Sequence, residues 1–230
     1  MQKTTTNTMR YGMVFLALVI LFCASIVWNI NTGSVDISLT DIVRIIFTRD
    51  NTDPASYTII WKIRLPRLLT AAVLGGALSL SGFLLQTFFR NPIAGPFVLG
   101  ISSGAKMFLA VVTIALTGWF PTLPVSMTVI SAFLGSMLSM LLVLAFSGKI
   151  RNMSMLLVIG IMISYICSAV TDFVITFAED SDIVNLHGWS LGSFSGMSWD
   201  NVSIAAIIVG MTSVAVFLMS KPIGAYQLGE

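Results

Sequence analysis

The sequence predicts an all-α integral membrane protein with six transmembrane helices. Three observations carry that prediction. Hydrophobic residues make up 56% of the 230 positions and charged residues only 10%, with a mean hydropathy of +0.94. A soluble domain carries roughly 25% charged residues, so this chain cannot cover a water-facing globule, and the bilayer is its main solvent. The apolar residues also gather into six long runs, each near the roughly 20 residues that a helix needs to cross the hydrocarbon core. Finally, the prolines fall in or at the edges of the polar breaks, which also hold most of the charges.

Polar residues 1–10 precede Tyr11–Trp28, the first run. Without a small-x-small cleavage site before Asn29, it reads as a retained span rather than a signal peptide. Residues 29–63 are the longest polar segment. Within them Leu39, Ile42, Val43 and Ile46 repeat at helical spacing, and Ser38 and Asp41 form an S-x-x-D capping pattern. A short amphipathic helix is expected there. Pro66–Phe89 is the second span, with Pro66 at its start, where a missing N–H costs little. A corner of sequence Asn91-Pro-Ile-Ala-Gly-Pro96 follows, and Pro96 opens a third run to about Thr117. Val125–Ser147, Met153–Phe177 and Val202–Met219 are the fourth, fifth and sixth spans. Residues 187–200 read as a Gly/Ser/Trp-rich connector.

Six spans place both termini on one face. Lys3, Arg10, Arg90, Lys149, Arg151 and Lys221 share that face, so each of its connections is basic. Arg44, Arg49, Lys62, Arg64 and Arg67 fall in or beside a single loop of the other face. Taken loop by loop, the positive-inside rule puts the N-terminus in the cytoplasm.

Composition excludes several functions. One histidine, His187, rules out a metal or catalytic cluster of histidines, and Cys23 and Cys167 lie inside apolar runs as small packing residues. No nucleophile–base pair and no phosphate-binding loop of the G-x-x-x-x-G-K-[ST] type is present. The sequence therefore calls for no catalytic residue, cofactor or metal, and the net charge of +2 is no nucleic-acid signal. Energy for uphill movement would come from an ion gradient or another subunit.

Some polar groups stand out within this background. Arg64 and Arg67, three apart at a span entrance, either snorkel to headgroups or dock carboxylates of an extracytoplasmic partner. Gly75, Gly76, Ser79 and Gly82 put small residues on one flank of span two, where close helix packing is expected. Lys106 and Asp172 are charges within spans, and such charges usually face protein or water. Ser164, Ser168 and Thr171 give span five a polar flank, suited to a wet path or a helix contact.

The combination of Arg64-Leu-Pro-Arg67, Arg90-Asn-Pro-Ile-Ala-Gly-Pro96 and Leu99-Gly-Ile-Ser-Ser-Gly-Ala105 closely resembles FecCD-type permease subunits of bacterial ABC importers for iron–siderophores, haem and vitamin B12. The resemblance continues through residues 156–169, the connector Trp189-Ser-Leu-Gly-Ser-Phe194 and the stretch from Lys221 to Glu230. It implies the ten-helix type II importer fold, in a form lacking its coupling helices and last four spans. The 230 residues would be one incomplete permease domain: a fragment, a truncated frame or half of a split protein, unable to couple ATP hydrolysis alone. The implied partners are a second permease subunit (a copy or a related chain), two cytoplasmic ATPase subunits and an extracytoplasmic substrate-binding protein, in the bacterial cytoplasmic membrane. Family roles carried over residue by residue make Arg64 and Arg67 the docking arginines. Asn91 and Ile93 join Met153 and Ser154 at a cytoplasmic gate, although Met153 stands where a small polar residue is expected. Span five, with Ser164, Ser168 and Thr171, lines the path. A secondary transporter or channel working through Lys106 and Asp172, or a non-transporting scaffold, are the alternatives.

Overall fold

Hydrophobic runs without partners for their backbone groups must become helices in lipid, and helix is what they form. The structure is a computed structural model. It describes residues 2–49, 53–116, 123–148, 150 and 153–228, without the side chains of residues 2–8, 153, 154 and 228. Among these residues the regular structure is entirely helical: α1 Gln2–Asn31, α2 Leu39–Thr48, α3 Pro54–Thr58, a π turn Ile59–Arg64, α4 Leu65–Phe89, α5 Ile101–Leu116, α6 Val125–Ser147, α7 Met153–Ile175, α8 Asp180–Leu191, α9 Trp199–Leu218 and α10 Ser220–Leu228. Among the described residues five stretches are long and apolar enough to cross a membrane: Met9–Asn31, Pro54–Phe89, Val125–Ser147, Met155–Ile175 and Trp199–Leu218.

The third apolar run behaves differently from its expectation. Residues 97–100 are turns, and α5 holds 16 residues, about 24 Å of helix at 1.5 Å per residue. Gly100, at φ +74°, ends the turns in a conformation that a side chain resists.

Pro66 also departs from its expected place. It lies inside a continuous helical run from Pro54 to Phe89 rather than at the start of one. Proline lacks the N–H that would bond the carbonyl four residues back, and its ring crowds that carbonyl. The π turn lies just before it, where the Leu65 N–H reaches the Ile60 carbonyl five residues back. Widening the helix by one residue at this point accommodates the ring.

The chain divides into two compact units. The first comprises residues 1–75 and 194–211. Its core is Ile30, Ile37, Ile42, Ile45 and Ile60, with Tyr57, Trp61 and Leu68 against it. The amphipathic helix exists as α2, with Ile42 and Ile45 as its buried residues, while Leu39 and Val43 are exposed. The capping box does not form. Ser38 sits at the N-cap, but its hydroxyl shares a 2.6 Å hydrogen bond with that of Thr40. Asp53 does cap α3. The Ser56 hydroxyl and the Ala55 N–H hold its carboxyl below the usual carboxylate range.

The second unit comprises residues 76–193 and 212–230. Here α5 packs on α6 and α7 over a core of Phe89, Ala94, Leu99, Val143, Leu156, Leu157, Ile163 and Cys167. The closest approach is between α5 and α6. A Cβ on Gly104 would collide with the Ser139 side chain, and one on Gly135 with the Gly104 carbonyl. The small residues that bring backbones together are therefore Gly104, Gly135 and Ser139. A Cβ on Gly75, Gly76 or Gly82 would meet nothing within 4 Å. Two acidic residues in the first turn favour α8, and Gly192 at φ +77° stops it. Residues 187–191, expected as connector, belong to that helix.

Candidate functional site

In the first unit, Arg64 and Arg67 part company. Arg64 is only 7% exposed. Its guanidinium donates to the carbonyls of Ile30, Asn31 and Val35. Two of these belong to the last turn of α1, where carbonyls lack helical partners and the helix dipole favours a cation. Gly33 lies against the same group, and a Cβ there would come within 2.8 Å of the guanidinium carbon. Arg67 is exposed, with Nε donating to the Phe194 carbonyl at 3.4 Å. Spacing alone treated the two as equivalent, yet one turn of helix separates a buried clamp from an exposed charge.

Aromatic rings surround this mouth. Trp61 packs between Tyr57 and Trp199, at centroid distances of 6.3 and 5.9 Å. Its indole N–H donates to the Ile45 carbonyl at 3.3 Å, and its own carbonyl accepts from the Trp199 indole at 2.8 Å. The Arg49 guanidinium sits 5.3 Å from the Trp61 ring centre.

In the second unit the Asn91–Pro96 corner is packed rather than free. The Asn91 carboxamide oxygen accepts from the Ile93 N–H at 3.0 Å, and the Asn91 carbonyl from the Ala94 N–H at 3.1 Å. Ala94 and Leu99 are buried, and Gly160 of α7 has no side chain where Val98 and Leu99 cross it. The turn residues that follow the corner thus pack closely on α7. Ile93 remains 75% exposed at the outside of the corner.

A cavity of about 520 Å³ opens beside the corner, between α5, α7 and the end of α8. Lys106 and Asp172 both line it, with Ser102, Ser168, Thr171 and Trp189. The two charges placed within spans by the sequence thus face one hollow. The Thr171 hydroxyl donates to the Cys167 carbonyl of its own helix at 2.8 Å. Ser164 stands outside the lining, its hydroxyl sharing a 2.6 Å hydrogen bond with that of Ser103 on α5. Met153 and Ser154 open α7, but their side chains lie outside the described residues. Among the described residues, no group of three or more His, Cys, Asp or Glu gathers to hold a metal.

The model of the FecCD transport family matches residues 17–230, nearly the whole chain. The chain belongs to that family. With its long apolar helices, this makes it a multi-pass membrane protein. It is 30% identical over 220 residues to the hemin transport system permease protein HmuU of Yersinia pestis, covering 95% of this chain and 63% of the relative. It is 28% identical over 218 residues to the vitamin B12 import system permease protein BtuC of Escherichia coli O127:H6, covering 95% and 60%. Its fold matches a structure described as an inward-facing metal-chelate type ABC transporter, with a TM-score of 0.74 and 25% identity over 94% of this chain and 65% of that one. The chain thus spans a little under two thirds of the length of these relatives. The likeness gives the chain the type II permease fold.

Proposed function

We propose that the chain is a membrane-spanning subunit of an ABC importer in the bacterial cytoplasmic membrane. It would serve as one permease domain, and its cargo would be a metal chelate, haem, a cobalamin or an iron–siderophore. The family match over residues 17–230 carries this reading. In it the chain pairs with a second permease subunit, receives cargo from an extracytoplasmic binding protein and depends on two cytoplasmic ATPase subunits. The N-terminus lies in the cytoplasm.

The two arginines divide the work of docking. Arg67 offers an exposed guanidinium to a partner carboxylate, a contact that gains from bidentate geometry. Arg64 holds the surface on which Arg67 stands. At the other end of α4, Asn91 and Ile93 form part of the gate with Met153 and Ser154. Ser164, Ser168 and Thr171 carry the path along α7.

The test is stimulation of ATP hydrolysis by loaded binding protein, in the assembled transporter in lipid. Arg67→Glu is expected to abolish the stimulation while leaving basal hydrolysis in place. Full stimulation in that variant would remove the docking role. A second reading follows from one observation, that Lys106 and Asp172 face the same cavity. A secondary transporter would use them as its working charges. Uptake that follows a proton or sodium gradient without ATP would select it, and uptake strictly tied to ATP would reject it.

A further inference from the structure

The end of α4 is closed by a residue that is poorly suited to the position by backbone alone. Arg90 has φ +48°, a left-handed conformation in which a side chain is disfavoured. The Arg90 N–H bonds the Thr87 carbonyl and the Asn91 N–H bonds the Gln86 carbonyl, the paired pattern that usually places glycine at this point. A side chain held here needs a compensating contact, and α10 provides several.

The Arg90 guanidinium donates to the Tyr226 carbonyl at 3.0 Å and lies 5.0 Å from the centre of the Tyr226 ring. The Tyr226 hydroxyl donates back to the Phe88 carbonyl at 2.9 Å, satisfying another orphan acceptor of the last turn. The Phe88 and Tyr226 rings stack at 6.4 Å with planes 13° apart. Beside them the Gln227 amide donates to the Thr87 hydroxyl at 3.0 Å. Every one of these bonds lies within the second unit, and together they join α10 to the turn that leads directly into Asn91.

We propose that Arg90 and Tyr226 are positioning residues whose clasp makes α10 and the Asn91–Pro96 corner move as one body. This rests on the reading of that corner as part of a gate. The physical basis is that the Arg90 backbone sets the direction in which the chain leaves α4, while its side chain is held by α10. A displacement of α10 is therefore passed to Asn91 through one residue rather than through a flexible linker.

Hydrogen exchange of the full chain in lipid nanodiscs tests the clasp without any need for transport. Arg90→Gly relieves the left-handed backbone and removes the guanidinium. It is expected to speed exchange about tenfold in residues 91–99 and 220–228 together, the scale of a lost charge-assisted hydrogen bond. Tyr226→Phe keeps the ring and loses the hydroxyl, and a smaller rise in the same two segments is expected. Combining the two should give less than the product of the single effects, because they remove one shared contact. Unchanged protection in α5 and α6 marks the variants as folded. Should Arg90→Gly fail to fold, Arg90→Lys serves instead, since lysine lacks the planar fork that both bonds and stacks. Exchange that rises in 220–228 alone, or in neither segment, overturns the proposal. Coupled exchange with unaltered transport would keep the clasp and remove the gate reading.

Discussion

The Arg64 guanidinium fills the space that a side chain at residue 33 would need, and Gly33 leaves that space open. Its φ is ordinary, so room rather than backbone freedom decides the residue. The same guanidinium binds carbonyls at the end of α1 and at Val35. Gly33→Ala is expected to destabilise the protein by about 1–3 kcal/mol, the usual cost of overpacking. Arg64→Ala leaves several carbonyls without a donor, at about 1.5–3 kcal/mol for a hydrogen-bonded charge. In the Arg64→Ala background the alanine at 33 should cost much less, and thermal unfolding of the four proteins in detergent measures that difference. Additive losses would mean that the two residues act independently.

The α5–α6 crossing predicts which glycines matter. Gly104→Val and Gly135→Ala push into Ser139 and the Gly104 carbonyl, so each should lower stability by about 1–3 kcal/mol. Gly76→Ala and Gly82→Ala meet open space and replace a poor helix former, so they should be neutral or stabilising by up to about 1 kcal/mol. Denaturation followed by helical circular dichroism separates the two pairs. A loss at Gly76 or Gly82 equal to that at Gly104 would contradict the assignment.

The cavity beside Lys106 and Asp172 is lined by hydroxyls and opposite charges, which calls for water. In a protein whose Cys23 and Cys167 are replaced by serine and alanine, Ser168→Cys should react readily with a small water-soluble thiol reagent. Leu109→Cys, buried in the α5 core, should not. Equal protection at both positions would show a dry cavity.

Much of this was legible in the sequence. Apolar runs without charge can only be helices in lipid, so the five long helices lie close to where hydropathy places them. The three-residue spacing of Arg64 and Arg67 showed a basic mouth. It did not show that one side chain turns inward, because the carbonyls that hold Arg64 belong to Ile30, Asn31 and Val35, far earlier in the chain. The 16-residue length of α5 was hidden too, since Phe97, Val98 and Leu99 are as apolar in a turn as in a helix. Helix α8 was masked by its glycine and serines, although Asp180 and Asp182 marked its first turn. The partnership of Arg90 with Tyr226 spans 136 residues, and no local pattern announces such a pair.

We propose that α4 crosses the bilayer, with the exposed charge of Arg67 at one face and the Asn91–Pro96 corner at the other. Its 25 residues span about 37 Å, enough to cross at a modest tilt. Arg67→Cys and Ile93→Cys, each made in the protein lacking its native cysteines, can be labelled with a membrane-impermeant maleimide. In cells with a permeabilised outer membrane, rapid reaction is expected at position 67. Position 93 should react only after the inner membrane is opened. Equal reaction at both positions in closed cells would contradict it.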